Sequence, residues 1–395
     1  MRRLIDRRAA FRVGLMAEAA PEIDSTSTIG ALVALTKPVV ISLLQVTALS
    51  AVLIHDIIQY HLGNGFDVMA TMWTCFVVFI GGFLTAGGAN SINMWYDADI
   101  DPFMGRTAER PVPAGNVTAS TALLLGMFLA IIGTIWLIEM ANAVAAFWAA
   151  FSVLFYVIIY TIWLKRRTSQ NIVIGGIAGS TPPLIGWAAA NESLTMAHAF
   201  DFGAVLNLGA ALPWLMFMLI FLWTPPHFWA LALFRDREYS EANVPMLPSV
   251  KGGKHTISEM RVYTALLIGI SAMFIDPIMW GFPRDDVWST GWAISTTYFA
   301  WALLLGVWYN QSVLNIDLRE PRDDKGRIPS AFSSFMISMK YLALLFVTMV
   351  MVVASFYVGL ILLASVAMSE VYKHWKNDPK NRLETQSKPV LSITE

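Results

Sequence analysis

Asn93, Asp97 and Asp101 recur at every fourth residue. A helix would carry all three on one face, drifting about 40° per step. They stand at the inner end of an apolar stretch, where acid is costly and usually functional. Such an array can hold a hard divalent cation. Mg²⁺ takes one or two carboxylates and completes its shell with water and substrate phosphate. Pro102 follows Asp101 and predicts that regular helix ends there. Arg106 and Arg110 come next, on a loop that can fold back over bound phosphate and meet its remaining charge. The chemistry this spacing predicts is metal-assisted departure of a diphosphate. The plain alternative is a solvated helix end, and the two arginines weigh against it.

The elements that position this array are membrane helices. Apolar residues make up 56% of the chain and charged residues 14%, against about 25% charged in an average soluble domain. The reading is an all-α integral membrane protein. Formal net charge is −1, so no general affinity for nucleic acid follows. Cys75 is the only cysteine, which excludes an intramolecular disulfide and argues against a cysteine metal site.

About nine spans of sufficient length and hydropathy are predicted, near 37–56, 69–92, 117–138, 141–164, 171–190, 203–223, 258–281, 288–309 and 335–367. The last is long for one span, and tilt or an interfacial extension is the expected answer. Loops after the second, fourth, sixth and eighth spans are rich in Lys and Arg, and those between them are nearly free of both. The positive-inside rule then places the N-terminus and the basic loops in the cytoplasm. Lys373, Lys376 and Lys380 run against nine spans, because they would lie outside. Residues 1–27 carry five arginines but also Asp6, Glu18, Glu22 and Asp24. That content fits neither a secretory signal nor a mitochondrial transit peptide, and favours a bacterial inner membrane over a mitochondrial one. The expected organisation is a disordered arm over 1–27, a membrane domain over 28–370 and a polar tail over 371–395.

The run from Asn93 through Asp97 and Asp101, with Arg106-Thr107 and Arg110-Pro111 after it, resembles the first aspartate-rich motif of the intramembrane prenyltransferases of the UbiA superfamily. The runs 93–97 and 225–232, together with Lys37-Pro38, Tyr160-Thr161, 164–168, 171–176 and 245–248, are similar to its haem-farnesylating branch. The resemblance covers about residues 30–370. It implies nine helices around a central cavity open to the cytoplasm. It also implies Mg²⁺, and transfer of a farnesyl group from farnesyl diphosphate to a vinyl carbon of haem b, with water added, to give haem O. Asn93, Asp97 and Asp101 match the metal-diphosphate motif, and Arg106 and Arg110 its basic continuation. Lys37 and Lys165 or Arg166 match positions suited to diphosphate contact. Candidate partners on this resemblance are haem A synthase or oxidase assembly proteins.

One departure stands out. Many members carry a second acid pair after the sixth span; here 223–239 has none at i, i+4, and Glu238 fills the place of an acid before Tyr239. Thr224 reads as a helix cap with Pro225 at the first position. His227 and Glu238, eleven apart, would then share a face, with Arg235 toward that side. His227 could ligate haem iron, bond a propionate or a phosphate, or be a packed histidine. Lys165, Arg166 and Arg167 also read as ordinary positive-inside charge. The rival functions are prenylation of another aromatic acceptor, a non-catalytic haem-binding assembly factor, and a transporter.

Overall fold

The computed structural model describes residues 25–377, apart from 106, 195–201, 243, 285–286 and 324–325. Arg106 and nearly all of the arm predicted over 1–27 therefore lie outside the described residues. Every regular element among the described residues is helical. In order these are α1 (Ser25–Thr36), α2 (Pro38–His61), α3 (Val68–Tyr96), α4 (Ala119–Met140), α5 (Ala143–Leu154), α6 (Asn171–Ser180), α7 (Pro182–Ala190) and α8 (Phe202–Leu206). Then come α9 (Leu212–Phe234), α10 (Asp236–Glu241), α11 (Leu247–Lys251), α12 (Gly253–Ser271), α13 (Thr290–Leu314), α14 (Pro329–Ala354) and α15 (Phe356–Asn377). A π-helix, Phe155–Leu164, prolongs α5.

Among the described residues, eight helical segments are long and apolar enough to cross a membrane. The segment Asn171–Ala190 counts as one of them, bent at Thr181 before Pro182-Pro183. α13, with 25 residues, is a ninth long helix of more mixed composition. Helix starts follow their caps. Asp67 accepts from the amides of Met69 and Ala70, Thr118 from Thr121, and Asn142 from Ala145.

Two expectations about span boundaries need correction. The stretch 335–367 is not one helix. Ser355 leaves helical geometry (φ −160°, ψ 105°), and α15 turns back so that Trp301 Nε1 of α13 donates to the Gly359 carbonyl at 3.0 Å. No Pro or Gly at the break announces this; tertiary packing sets it. The sixth span does not end before a Thr224 cap. α9 runs through Pro225 and Pro226 to Phe234. Thr224 Oγ1 instead bonds back to the Ile220 carbonyl at 2.8 Å, within the same helix.

The bundle closes on itself. α2 packs on α3, α3 on α4, and α4 on α5; at the other end of the chain, α9 packs on α12 and α14, and α14 on α2. Along its apolar window α9 is 78% buried and α4 only 22%, so α9 is central and α4 peripheral. The exposed side chains of α4, among them Leu124, Phe128 and Ile131, are apolar, as a lipid-facing surface requires. Small residues set the closest approaches. A Cβ on Gly88 would lie 2.6 Å from the Gly126 carbonyl oxygen, and one on Gly186 would lie 2.1 Å from that of Ala48.

Candidate active site

The polar array gathers where the basic loops meet, at one end of the bundle. α3 stops at Tyr96, earlier than Pro102 predicted. Asp97 is its C-cap, and an Asp101 N–H to Asp97 carbonyl bond of 2.9 Å carries the four-residue spacing through a turn. A short 3₁₀ turn, Asp101–Phe103, follows. Asn93, Asp97 and Asp101 are all buried, at 3%, 0% and 2% exposure.

Each carboxylate meets a cation from another part of the chain. Lys165 donates to Asp97 Oδ2 through Nζ, and Asn93 Nδ2 donates to the same oxygen at 2.8 Å. Arg110 Nη1 donates to both Asp101 oxygens, at 2.9 and 2.8 Å. Arg166 forks onto Asp99 at 2.8 and 2.6 Å, bonds the Tyr96 carbonyl, and stands 3.6 Å from Asp97 Oδ1. Lys37 reaches Asn93 Oδ1 at 2.9 Å. Lys37 is also the only non-glycine residue with positive φ among the described residues (55°), pinned between α1 and Pro38. Held strain of this kind marks functional sites more often than chance.

A π-helical stretch sets the register of the facing wall. Each π turn takes one residue more than an α turn, and the Lys165 amide bonds back to Tyr160 across five residues at 2.8 Å. The same stretch presents Thr161, fully buried, whose hydroxyl accepts from Asn93 Nδ2 at 3.2 Å.

Electrostatics follow from the packing. Burial pushes the Lys37 ammonium well below its ordinary value, and the nearby charges of Arg110 and Lys165 push the same way. Burial alone would raise the Asp97 carboxyl, but Lys165, Lys37 and Arg166 together hold it below its usual range. Asp101 is raised, by burial first, with Arg110 opposing. Four basic side chains (Lys37, Arg110, Lys165, Arg166) gather around three carboxylates (Asp97, Asp99, Asp101).

The donor set suits Mg²⁺. Asp97 Oδ1 is buried and lacks a hydrogen-bond donor. No cluster of three or more His, Cys, Asp or Glu side chains occurs among the described residues. Two carboxylates and an amide would leave the remaining positions to phosphate and water, which is how Mg²⁺ is commonly held.

The second stretch is built differently from its expectation. Because α9 ends at Phe234 and α10 begins at Asp236, His227 and Glu238 do not share one helix face. Glu238 accepts from Arg235 Nη1 at 2.7 and 2.9 Å. It also lies 3.9 Å from where a Cβ on Gly105 would sit, so this loop adjoins the one after Asp101. Ile100 and Met104 of the first loop share an apolar cluster with Tyr239, Val244 and Met246 of the second. His227 is inside α9, sandwiched between Trp223 (4.1 Å) and Phe335 (4.6 Å), with Nδ1 2.6 Å from Ser338 Oγ.

Sequence reasoning overlooked Asp99, Thr161, Ser338 and Arg327. Asp99 and Thr161 lie inside runs already singled out, so their neighbourhood was legible but their roles were not. Nothing local marks Ser338, and Arg327 reads only as positive-inside charge in the loop after the eighth span.

The UbiA prenyltransferase family matches residues 58–336. A protoheme IX farnesyltransferase of Rhodopseudomonas palustris (strain BisB5) is 40% identical over 329 residues, covering 83% of this chain and 91% of that protein. One from Symbiobacterium thermophilum is 42% identical over 259 residues, covering 66% and 78%. Among solved structures, a digeranylgeranylglyceryl phosphate synthase superposes with TM-score 0.56 at 16% identity, covering 83% of this chain and 99% of that one. A UbiA homologue from Archaeoglobus fulgidus, solved with DMAPP and Mg²⁺, gives 0.52 at 12% identity, covering 80% and 98%. With the family's match spanning most of the bundle that carries the buried carboxylates, this chain belongs to the UbiA prenyltransferase family.

Proposed function

We propose that this protein transfers a farnesyl group from farnesyl diphosphate to a vinyl carbon of haem b, giving haem O, in a bacterial cell membrane. The observation that carries the reading is the buried array of Asp97, Asp101 and Asn93 faced by Lys37, Lys165 and Arg110 at one end of an apolar bundle. The Rhodopseudomonas palustris and Symbiobacterium thermophilum relatives, both bacterial and both named protoheme IX farnesyltransferase, support the acceptor and the setting.

Asp97 and Asp101, with Asn93 beside them, would hold Mg²⁺ against the diphosphate. The ion supplies charge neutralisation of the departing group. Lys37, Lys165 and Arg110 are then released from their internal partners to bond phosphate oxygens, and Arg106 extends that set. The farnesyl C–O bond breaks, and its electron pair leaves with the diphosphate. The vinyl π pair attacks the allylic cation to form the new C–C bond. Water captures the resulting cation beside the macrocycle and loses a proton, leaving a hydroxyl. No protein nucleophile is required. His227, Arg235 and Glu238 contribute to the haem side of the site. The isoprenoid tail lies among apolar helices, where burial favours it.

The test is direct. Membranes containing the protein are given haem b and farnesyl diphosphate, and the pigment is analysed by mass spectrometry. The expected product is heavier than haem b by one farnesyl group plus one hydroxyl and is less polar. Retained pigment of unchanged mass refutes catalysis in favour of haem binding. Farnesylation of a hydroxybenzoate with haem untouched refutes the acceptor.

A further inference from the structure

A second charged group lies beside the diphosphate loop, and its charges do not balance. Arg235 donates to Glu238, and Arg327 stands 3.7 Å from the same carboxylate. Arg235 Nε is buried with no acceptor, and the Arg327 guanidinium stops 3.7 Å short of Glu238, beyond hydrogen-bond reach. Two guanidinium groups thus share one carboxylate. Side-chain exposures of 17%, 23% and 19% for Arg235, Arg327 and Glu238 make the surplus charge substantial, since partly desolvated cations seek anions strongly.

The apolar wall behind these arginines is aromatic. Both guanidinium groups lie over the Phe234 ring, at 5.6 and 5.2 Å. From Phe234 the rings continue through Phe332 (4.8 Å) and Phe335 (6.1 Å) to His227 (4.6 Å). Arg235, the cap of α9, lies eight steps along the chain from His227, about 12 Å of rise, the scale of a porphyrin. A flat macrocycle with acidic arms on one edge fits such a strip better than a flexible chain does.

We propose that Arg327, with Arg235, forms a carboxylate clamp for a propionate of the porphyrin acceptor, and that Glu238 keeps the two guanidinium groups together until it arrives. The proposal rests on the haem-farnesylating reading above. The shared chemistry is recognition of an oxyanion, and the rival source is the diphosphate of the other substrate, because Gly105 adjoins Glu238. Bidentate guanidinium recognition suits a planar carboxylate.

The experiment compares the full-length protein with Arg327→Gln in steady-state farnesylation. The expected result is a KM for haem b raised about tenfold or more, with KM for farnesyl diphosphate and kcat nearly unchanged. With the dimethyl ester of haem b, whose propionates carry no charge, wild type and variant should be equally poor. A variant KM raised for farnesyl diphosphate alone assigns the clamp to diphosphate and overturns the proposal. Unchanged values for both substrates also overturn it. If Arg327→Gln fails to accumulate in membranes, Arg327→Lys takes its place, keeping the charge but losing the fork, and the same split is expected at smaller size. Should the wild type not farnesylate haem at all, that defeats the proposed function. The clamp is then judged by spectroscopic titration with haem b and its dimethyl ester. Tighter binding of the free acid, lost in the variant, sustains it; equal binding removes it.

Discussion

Replacing Asp97 with asparagine separates a structural ion pair from a catalytic carboxylate. Asp97 is fully buried and meets Lys165, Asn93 and, at 3.6 Å, Arg166. Asp97→Asn keeps the volume but leaves the Lys165 ammonium without its opposing charge. Breaking one side of a buried pair costs about 3–5 kcal/mol, so thermal stability in detergent should fall visibly while helix content persists. Activity should fall further than stability explains, on the order of 10³-fold, because a charge that offsets the leaving diphosphate is gone. The double variant Asp97→Asn with Lys165→Met isolates the cause. Removing the stranded cation should restore much of the stability and none of the turnover. The assays are unfolding by circular dichroism and haem O formation by mass spectrometry on the same purified samples. Recovery of turnover in the double variant, or single-variant activity within tenfold of wild type, would falsify the metal-diphosphate role of this carboxylate.

Three further outcomes are expected. Chelation with EDTA should abolish transfer, and added Mg²⁺ should restore it; turnover that persists after exhaustive chelation contradicts the Asp97–Asp101 assignment. Thr161→Val removes the hydroxyl that accepts from Asn93 and should lower kcat about tenfold with little change in stability; a loss confined to stability would make Thr161 a packing residue. Gly186→Ala would drive a Cβ to 2.1 Å from the Ala48 carbonyl oxygen; the resulting overpacking should cost about 1–3 kcal/mol, read as a lower unfolding temperature, and an unchanged transition would show that α2 and α7 separate freely.

The sequence determined the class of this protein because burial in lipid leaves little choice. Long apolar runs must be helices there, since no water is present to satisfy an open backbone. The four-residue recurrence of Asn93, Asp97 and Asp101, and the basic loops alternating with neutral ones, were equally local signals. They marked one end of the bundle as the place for chemistry before any contact was known. Which cation answers which carboxylate was a different kind of fact. Lys165 meets Asp97 across 68 residues, and a π-helical register turns it there. Lys37 reaches Asn93 across 56, from a strained backbone position that no propensity favours. The break at Ser355 and the run of α9 through two prolines likewise follow from neighbouring helices rather than from the residues concerned. Ser338 carried no mark, and Arg327 read only as one more charge in the basic loop after the eighth span, because only the docking of α14 on α9 gives them His227 and Glu238 as neighbours. Periodicity is a property of one segment and can be read along it. Partnership between segments depends on how their faces pack, and only the folded bundle decides that.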